Sequence, residues 1–177
     1  MTQDYYQRAI QFAGEKHKHQ TLPGSEANYL QHVSNVAMEI LLAYAHTKNF
    51  DVDFAVQTAL LHDTIEDTDA TYEEVKQHFG QRVADAVLAL TKDDSLSGKQ
   101  EKMANSLLRI NALEKEVAMV KLADRITNLQ HPPGHWSSEK IAQYHEEASA
   151  IADALVDKHA YLHQRLLDKM EAYRRHF

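Results

Sequence analysis

The chain has 177 residues, 26 acidic side chains against 19 basic ones for a formal charge of −7, and no cysteine. That length fits about one domain with a buried core. The missing cysteine excludes a disulfide scaffold, a thiolate zinc site and a thiol nucleophile, and the acidic balance argues against broad nucleic-acid binding, which needs a basic footprint. Hydrophobic residues make up 44% of the chain, the level of a folded globular protein. The longest apolar run, Ile40–Ala45, is far short of the ~20 residues of a membrane span. Met1-Thr2-Gln3-Asp4 lacks the basic and apolar regions of a secretory signal, so a cytoplasmic protein is expected. Twelve histidines outnumber the five glycines and three prolines together, and that imbalance asks for a reason.

The periodicity is helical almost throughout. A first helix is predicted over about Asp4–His19, followed by a loop at Gln20–Asn28 around Pro23-Gly24. A second covers about Tyr29–Thr47, with Val33, Val36, Ala37, Ile40, Leu41 and Tyr44 as its apolar stripe. Asp51 can cap a third that reaches about Ile65. Thr71 and Glu74 form a capping box opening a short helix that ends at Phe79-Gly80, and another runs over about Gln81–Thr91. Lys99–Ala112 is mostly polar and expected to be exposed, whereas Val117–Leu129 is expected to be buried on much of its surface. After the break at His131-Pro132-Pro133-Gly134, Ser137 or Ser138 caps a long helix to about Val156. A last amphipathic helix, about residues 158–175, is expected to pack on the domain, with a homodimer contact as the less favoured alternative. The expected fold is all-α, one domain of eight to nine helices over residues 1–177.

Three features interrupt the apolar faces. In His62-Asp63-Thr64-Ile65-Glu66-Asp67, helical spacing places His62 above Glu66 and Asp63 above Asp67. Ala59-Leu60-Leu61 leads in, so this turn leaves the core. Carboxylates this close repel one another, and a divalent cation removes that penalty; a solvated acidic helix end is the plain alternative. Lys121, Asp124, Arg125 and Asn128 form one polar stripe on a mostly apolar helix. That stripe is either a surface ion-pair network or the wall of a site. His32 alone is an ordinary helix histidine. In combination, His32, His62, Asp63 and Asp124 come from three helices and could surround one metal, a donor set suited to Mn²⁺, Fe²⁺ or another six-coordinate ion. Glu66 and Asp67 would then be the proton-handling pair.

His32…His62-Asp63…Asp124 resembles the HD-domain metal-dependent phosphohydrolases. The likeness is narrower over His62–Thr68, which is similar to the HDxxEDT signature of the alarmone hydrolases. These include the stand-alone small enzymes and the hydrolase half of RelA/SpoT-type enzymes. Phe79–Ala84 with Leu90-Thr91-Lys92, the segment Lys121–Leu129, and His135-Trp136-Ser137 with Tyr144 resemble further family blocks. The resemblance spans about Phe12–Leu155.

It implies a Mn²⁺-dependent hydrolase, with Fe²⁺, Mg²⁺ or Zn²⁺ as other ions, that removes the 3′-pyrophosphate of (p)ppGpp to give GDP or GTP. The implied metal ligands are His32, His62, Asp63 and Asp124, and the catalytic pair is Glu66 and Asp67. Candidate substrate contacts are Lys18, Gln20, Lys121, Arg125, Asn128 and Tyr144. No synthetase domain fits in this length, and the implied partner is a phosphorylated nucleotide, with neither nucleic acid nor membrane.

The family's opening block, H-x-x-Q-x-R-K-x-G-x-P-Y-I-x-H-P, keeps His17, Gln20, Tyr29 and His32 here. Thr21-Leu22 replace its Arg-Lys pair and both of its prolines are absent. A guanidinium stacks and donates in a fixed fork, which Thr and Leu do not. Lys18, Lys99, Lys102 and Arg125 are the candidates for replacement charge. The altered loop keeps two alternatives open: hydrolysis of a different phosphorylated nucleotide, and a nucleotide-binding regulator without turnover.

Overall fold

A computed structural model describes residues 1–177. Ten α-helices follow in chain order: α1 (Thr2–Lys16), α2 (Leu30–His46), α3 (Val52–Leu61), α4 (Thr64–Asp67), α5 (Tyr72–Phe79), α6 (Gln81–Leu90), α7 (Lys99–Asn111), α8 (Lys115–Asn128), α9 (Ser138–Ala154) and α10 (Ala160–Tyr173). A 3₁₀ turn, Arg174–His176, ends the chain, and one isolated antiparallel bridge joins Thr21 to Asn28. No helix is long and apolar enough to cross a membrane.

The predicted N-caps form, but the Thr71–Glu74 capping box closes only from the Thr71 side, because the Glu74 carboxylate pairs with Lys16 Nζ at 2.8 Å instead. The Asp51 side chain accepts from Phe54 N at 3.1 Å, Thr71 from Glu74 N at 3.2 Å and Ser137 from Lys140 N at 3.3 Å. Each satisfies a backbone donor that the first helical turn leaves open. His159 Nδ1 caps α10 in the same way, accepting from Leu162 N, a role its residue type does not advertise.

The core is one cluster from Ala9 to Tyr173. Two helices dominate it. Every residue of α3 from Phe54 to Leu61 is buried, and α3 packs on α1, α2, α6 and α8. Helix α8 is buried continuously from Glu116 to Val120 and again from Leu122 to Thr127, against α2, α3 and α10. Such sites tolerate little change: truncating Leu60 or Leu122 to Ala costs about 2–5 kcal/mol. A bidentate Arg165–Glu39 pair, 2.8 and 3.0 Å, ties α10 to α2. Helix α7 is exposed as expected except for Ser106, Leu107 and Ile110, which meet the core.

One departure from the sequence expectation shapes the site. The third predicted helix does not run through to Ile65; it stops at Leu61 and restarts at Thr64. Two side chains take over the carbonyls at its end: Thr64 Oγ1 donates to Leu61 O at 2.7 Å, and His62 Nδ1 to Ala59 O at 2.8 Å. Side chains that bond the local backbone compete with helix continuation. Asp63 becomes the residue before α4, its carbonyl still accepting from Asp67 N at 2.9 Å.

Candidate active site

The site forms where the first turn of α2, the α3–α4 break and the second half of α8 meet. His32 comes from α2, His62 and Asp63 from the break, and Asp124 from α8. His32 Nε2 lies 3.3 Å from His62 Nε2 and 3.4 Å from Asp124 Oδ1. Asp63 Oδ2 is 2.9 Å from His62 Nε2 and 3.7 Å from His32 Nε2. The ligand atoms of His32, His62 and Asp124 all fall within 4.8 Å of one another, and all three residues are buried.

The donor set fits a divalent cation. The Ala59 carbonyl can only accept, so His62 Nδ1 carries the hydrogen and Nε2 presents its lone pair to the pocket, the arrangement metal-binding histidines use. The carboxylates are oriented from behind as well. Tyr29 Oη donates to Asp63 Oδ2 at 2.5 Å, Lys121 Nζ to Asp124 Oδ2 at 3.1 Å, and Asn128 Nδ2 to Asp124 Oδ1 at 2.5 Å.

The electrostatics show the same demand for positive charge. Burial alone would raise the Asp63 carboxyl, but the adjacent His62 holds it well below the usual range. Burial likewise opposes the Asp124 carboxylate, and Lys121 with the two histidines pulls its pKa well down. Burial works against a charged His62, yet Asp63 and Asp124 outweigh it and raise the imidazole well above its ordinary value. The buried Asp124 and the half-buried Asp63 thus draw a proton onto His62, and a metal ion competes for the same place.

The pocket opens into a cleft of about 250 Å³. Glu66 and Asp67 line it beside Asp63, and Lys121, Asp124, Arg125 and Asn128 line the α8 side, so the predicted polar stripe is one wall. Tyr144 closes it from α9, with the Arg125 guanidinium 4.3 Å from its ring centroid. Burial pushes the Tyr144 phenol up to about 12, so it stays protonated. Burial, then the Asp63 charge, raises the Tyr29 phenol further, which keeps it a donor to Asp63.

Glu66 and Asp67 are held differently. Glu66 accepts from Lys92 N at 2.8 Å and Lys92 Nζ at 2.6 Å. Burial opposes the Lys92 charge, but Glu66 restores it and the net pKa is raised. Asp67 accepts from Gln20 Nε2 at 3.0 Å, and burial followed by the Asp63 charge raises its carboxyl.

Not every candidate residue reaches the cleft. Gln20 touches Asp67 from behind, and Lys18 is exposed in a neighbouring groove that shares Asp67 with the cleft. Lys99 lines a separate groove between α7 and α9, and Lys102 pairs with Asp94 at 2.6 Å. Thr21 is exposed and Leu22 half-buried in the hairpin, whose Gly24 (φ +74°) packs against Pro133. Only Arg125, of the four candidates for replacement charge, lies in the cleft. Sequence reasoning did not single out Lys92, Tyr29, Met103 or Glu147, which also line it. Lys92 had a signal, since it ends the Leu90-Thr91-Lys92 block, and Tyr29 stands in the opening block.

Comparison with known proteins gives the same picture. Over 162 residues the chain is 35% identical to guanosine-3′,5′-bis(diphosphate) 3′-pyrophosphohydrolase MESH1 of Danio rerio, covering 89% of this chain and 87% of the relative. It is 40% identical over 127 residues to the guanosine-3′,5′-bis(diphosphate) 3′-pyrophosphohydrolase of Aquifex aeolicus, covering 70% of this chain and 17% of that longer protein. A solved structure, described as a metazoan ortholog of SpoT that hydrolyzes ppGpp, superposes with a TM-score of 0.81 at 30% identity, covering 98% of this chain and 97% of that one. The HD-domain model matches residues 9–156, a span that contains His32, His62, Asp63 and Asp124, and the chain belongs to that family.

Proposed function

We propose that this protein is a metal-dependent hydrolase of guanosine 3′,5′-bis(diphosphate)-type alarmones, releasing the 3′-pyrophosphate and leaving GDP or GTP. One observation carries the reading: the buried His32–His62–Asp124 cluster, with Asp63 2.9 Å from His62, opens into a cleft that also holds Glu66 and Asp67. Its relatives of similar length carry that activity in their names. His32, His62, Asp63 and Asp124 would hold the ion, for which Mn²⁺ is the choice the family resemblance implies. A divalent cation there supplies Lewis acidity, lowering the pKa of water and neutralising phosphoryl oxygens.

The chain's own residues supply the rest. In the overall reaction a water oxygen bonds to the phosphorus on the ribose 3′-oxygen, the 3′-oxygen–phosphorus bond breaks, and the 3′-oxygen gains a proton. The Glu66 carboxylate, held by Lys92, is placed to take the proton from water. Asp67, whose carboxyl is raised by burial and by Asp63, is suited to keep a proton and deliver it to the leaving oxygen. Lys121 and Arg125 give the cleft wall positive charge for a phosphorylated ligand, and Asn128 and Tyr144 offer polar contacts beside it. A small phosphorylated nucleotide as substrate supports a cytoplasmic location for the enzyme.

The test is product analysis with purified protein and ppGpp, with Mn²⁺ and with chelator. Metal-dependent release of pyrophosphate with GDP is expected; no turnover with metal bound would refute the substrate. A second reading, a different phosphorylated nucleotide, is favoured by the hairpin at Thr21-Leu22, which puts no cation into the cleft. A panel of nucleoside 3′- and 5′-phosphates in the same assay separates the two.

A further inference from the structure

The segment from His17 to Gln20 touches no candidate metal ligand through a hydrogen bond, yet His17 is only 1% exposed. Burying an imidazole this fully calls for a role. Its Nδ1 lies 2.6 Å from Gln20 Oε1. An amide oxygen only accepts, so Nδ1 carries the hydrogen. With its oxygen engaged, the Gln20 amide turns its NH₂ the other way, where it donates to Asp67 Oδ2 at 3.0 Å. With the Asp67 proton, when present, on the cleft-side oxygen, the reverse amide orientation would set a carbonyl oxygen against the bare Oδ2, two acceptors with no hydrogen between them. His17 Nε2 is buried without a partner, as suits a nitrogen bearing no hydrogen. Protonating it would bury a second N–H with nothing to accept it. The same ring lies 5.0 Å from that of Tyr29, whose hydroxyl donates to Asp63.

We infer that His17 is a positioning residue for the reaction: through the fixed amide of Gln20 it commits one oxygen of Asp67 to a hydrogen bond and leaves the other for the cleft. This rests on the reading of Asp67 as part of the proton-handling pair. Gln20 is then a link between His17 and Asp67 and not a substrate contact. The two orientations fix each other: the Nδ1–H tautomer of His17 and the amide orientation of Gln20 are set together, and the amide orientation selects the carboxylate oxygen. Small errors in the placement of a proton-transfer group lower rates by factors of ten to a hundred without weakening binding.

The test has a spectroscopic arm and a kinetic arm. In long-range ¹H–¹⁵N spectra of the full chain, the His17 signals, identified by their loss in His17→Leu, are expected to show the neutral Nδ1–H tautomer. That tautomer is expected to lose its dominance in Gln20→Leu. With ppGpp at saturating Mn²⁺, His17→Leu and Gln20→Leu are expected to lower kcat about tenfold with KM changed less than about twofold. His17→Asn, whose side-chain NH₂ can stand in for Nδ1–H, is expected to recover most of the loss. An Nε2–H tautomer in the wild type overturns the proposal, because the amide would then be reversed. A raised KM at unchanged kcat in Gln20→Leu also overturns it, making Gln20 a substrate contact. So does His17→Asn as impaired as His17→Leu, which would reduce His17 to packing. If the wild type turns over no ppGpp, the proposed activity fails on its own, and the tautomer spectrum still decides the relay. Gln20→Leu changes a half-buried side chain, so that arm survives even if His17→Leu does not fold.

Discussion

Two regions bury histidine to the same depth and charge it in opposite directions. At the α2–α3–α8 junction, His62 is 2% exposed with Asp63 2.9 Å away, and its pKa is raised well above the ordinary value despite burial. At the start of α10, His159 is 5% exposed and faces Lys115 and His46, and burial lowers its pKa. His17 is equally deep and also lowered, by burial above all. Depth alone therefore does not mark out a candidate metal site. The difference lies in the carboxylates that share the pocket: they supply an electrostatic need for a cation, and the Ala59 carbonyl ensures that His62 meets it with a lone pair.

Removing a carboxylate breaks the contrast most severely. Asp63→Ala is expected to abolish metal binding in calorimetric titration and to take turnover below detection, since it removes a proposed ligand and one of the two carboxylates beside His62. Metal affinity retained within a few-fold would show that His32, His62 and Asp124 suffice. Next come the two side chains that use the pocket without building it. Glu66→Gln and Asp67→Asn are expected to bind metal as the wild type does while kcat falls about 10²–10⁴-fold. Full turnover in Glu66→Gln would remove it from the mechanism. Tyr29→Phe has a smaller effect. It deletes the hydroxyl that orients Asp63 and is expected to weaken metal affinity about tenfold, with kcat at saturating metal nearly unchanged.

These sites were legible in the sequence to different degrees, for physical reasons. His62-Asp63 and Glu66-Asp67 lie within one segment, and the Lys121–Asn128 stripe is one helix face, so spacing alone brought each set together. The all-helical fold and the caps at Asp51, Thr71 and Ser137 were also readable, because they depend on local pattern. The break after Leu61 was not. It comes from Thr64 and His62 side chains bonding carbonyls of the preceding turn, a choice that the periodicity of Ala59-Leu60-Leu61 does not reveal. Contacts between distant segments were hidden because no local pattern encodes them. Lys92 reaches Glu66 across 26 residues, and Arg165 reaches Glu39 across 126. Lys18, plausible by charge, sits outside the cleft because α1 ends at Lys16 and the chain turns there.

The smallest effect tests the other side of the contrast. His159 Nδ1 must be bare to accept from Leu162 N, so a proton on that nitrogen costs the α10 cap. Its folded pKa lies below the ordinary 6.5, so between the two values the unfolded chain binds more protons than the folded one. Stability contributed by this group is complete above about pH 6.5 and is lost as the pH falls toward the folded pKa. Asn caps helices well and does not titrate. His159→Asn is therefore expected to match the wild type within about 1 kcal/mol at pH 8 and to unfold less readily than the wild type at pH 5. Denaturant titrations at the two values measure this. His17 has the same sign and leaves part of the slope in place. An unchanged slope in His159→Asn would place the acid sensitivity in other groups, His17 and His176 among them, and leave the α10 cap without a role in it.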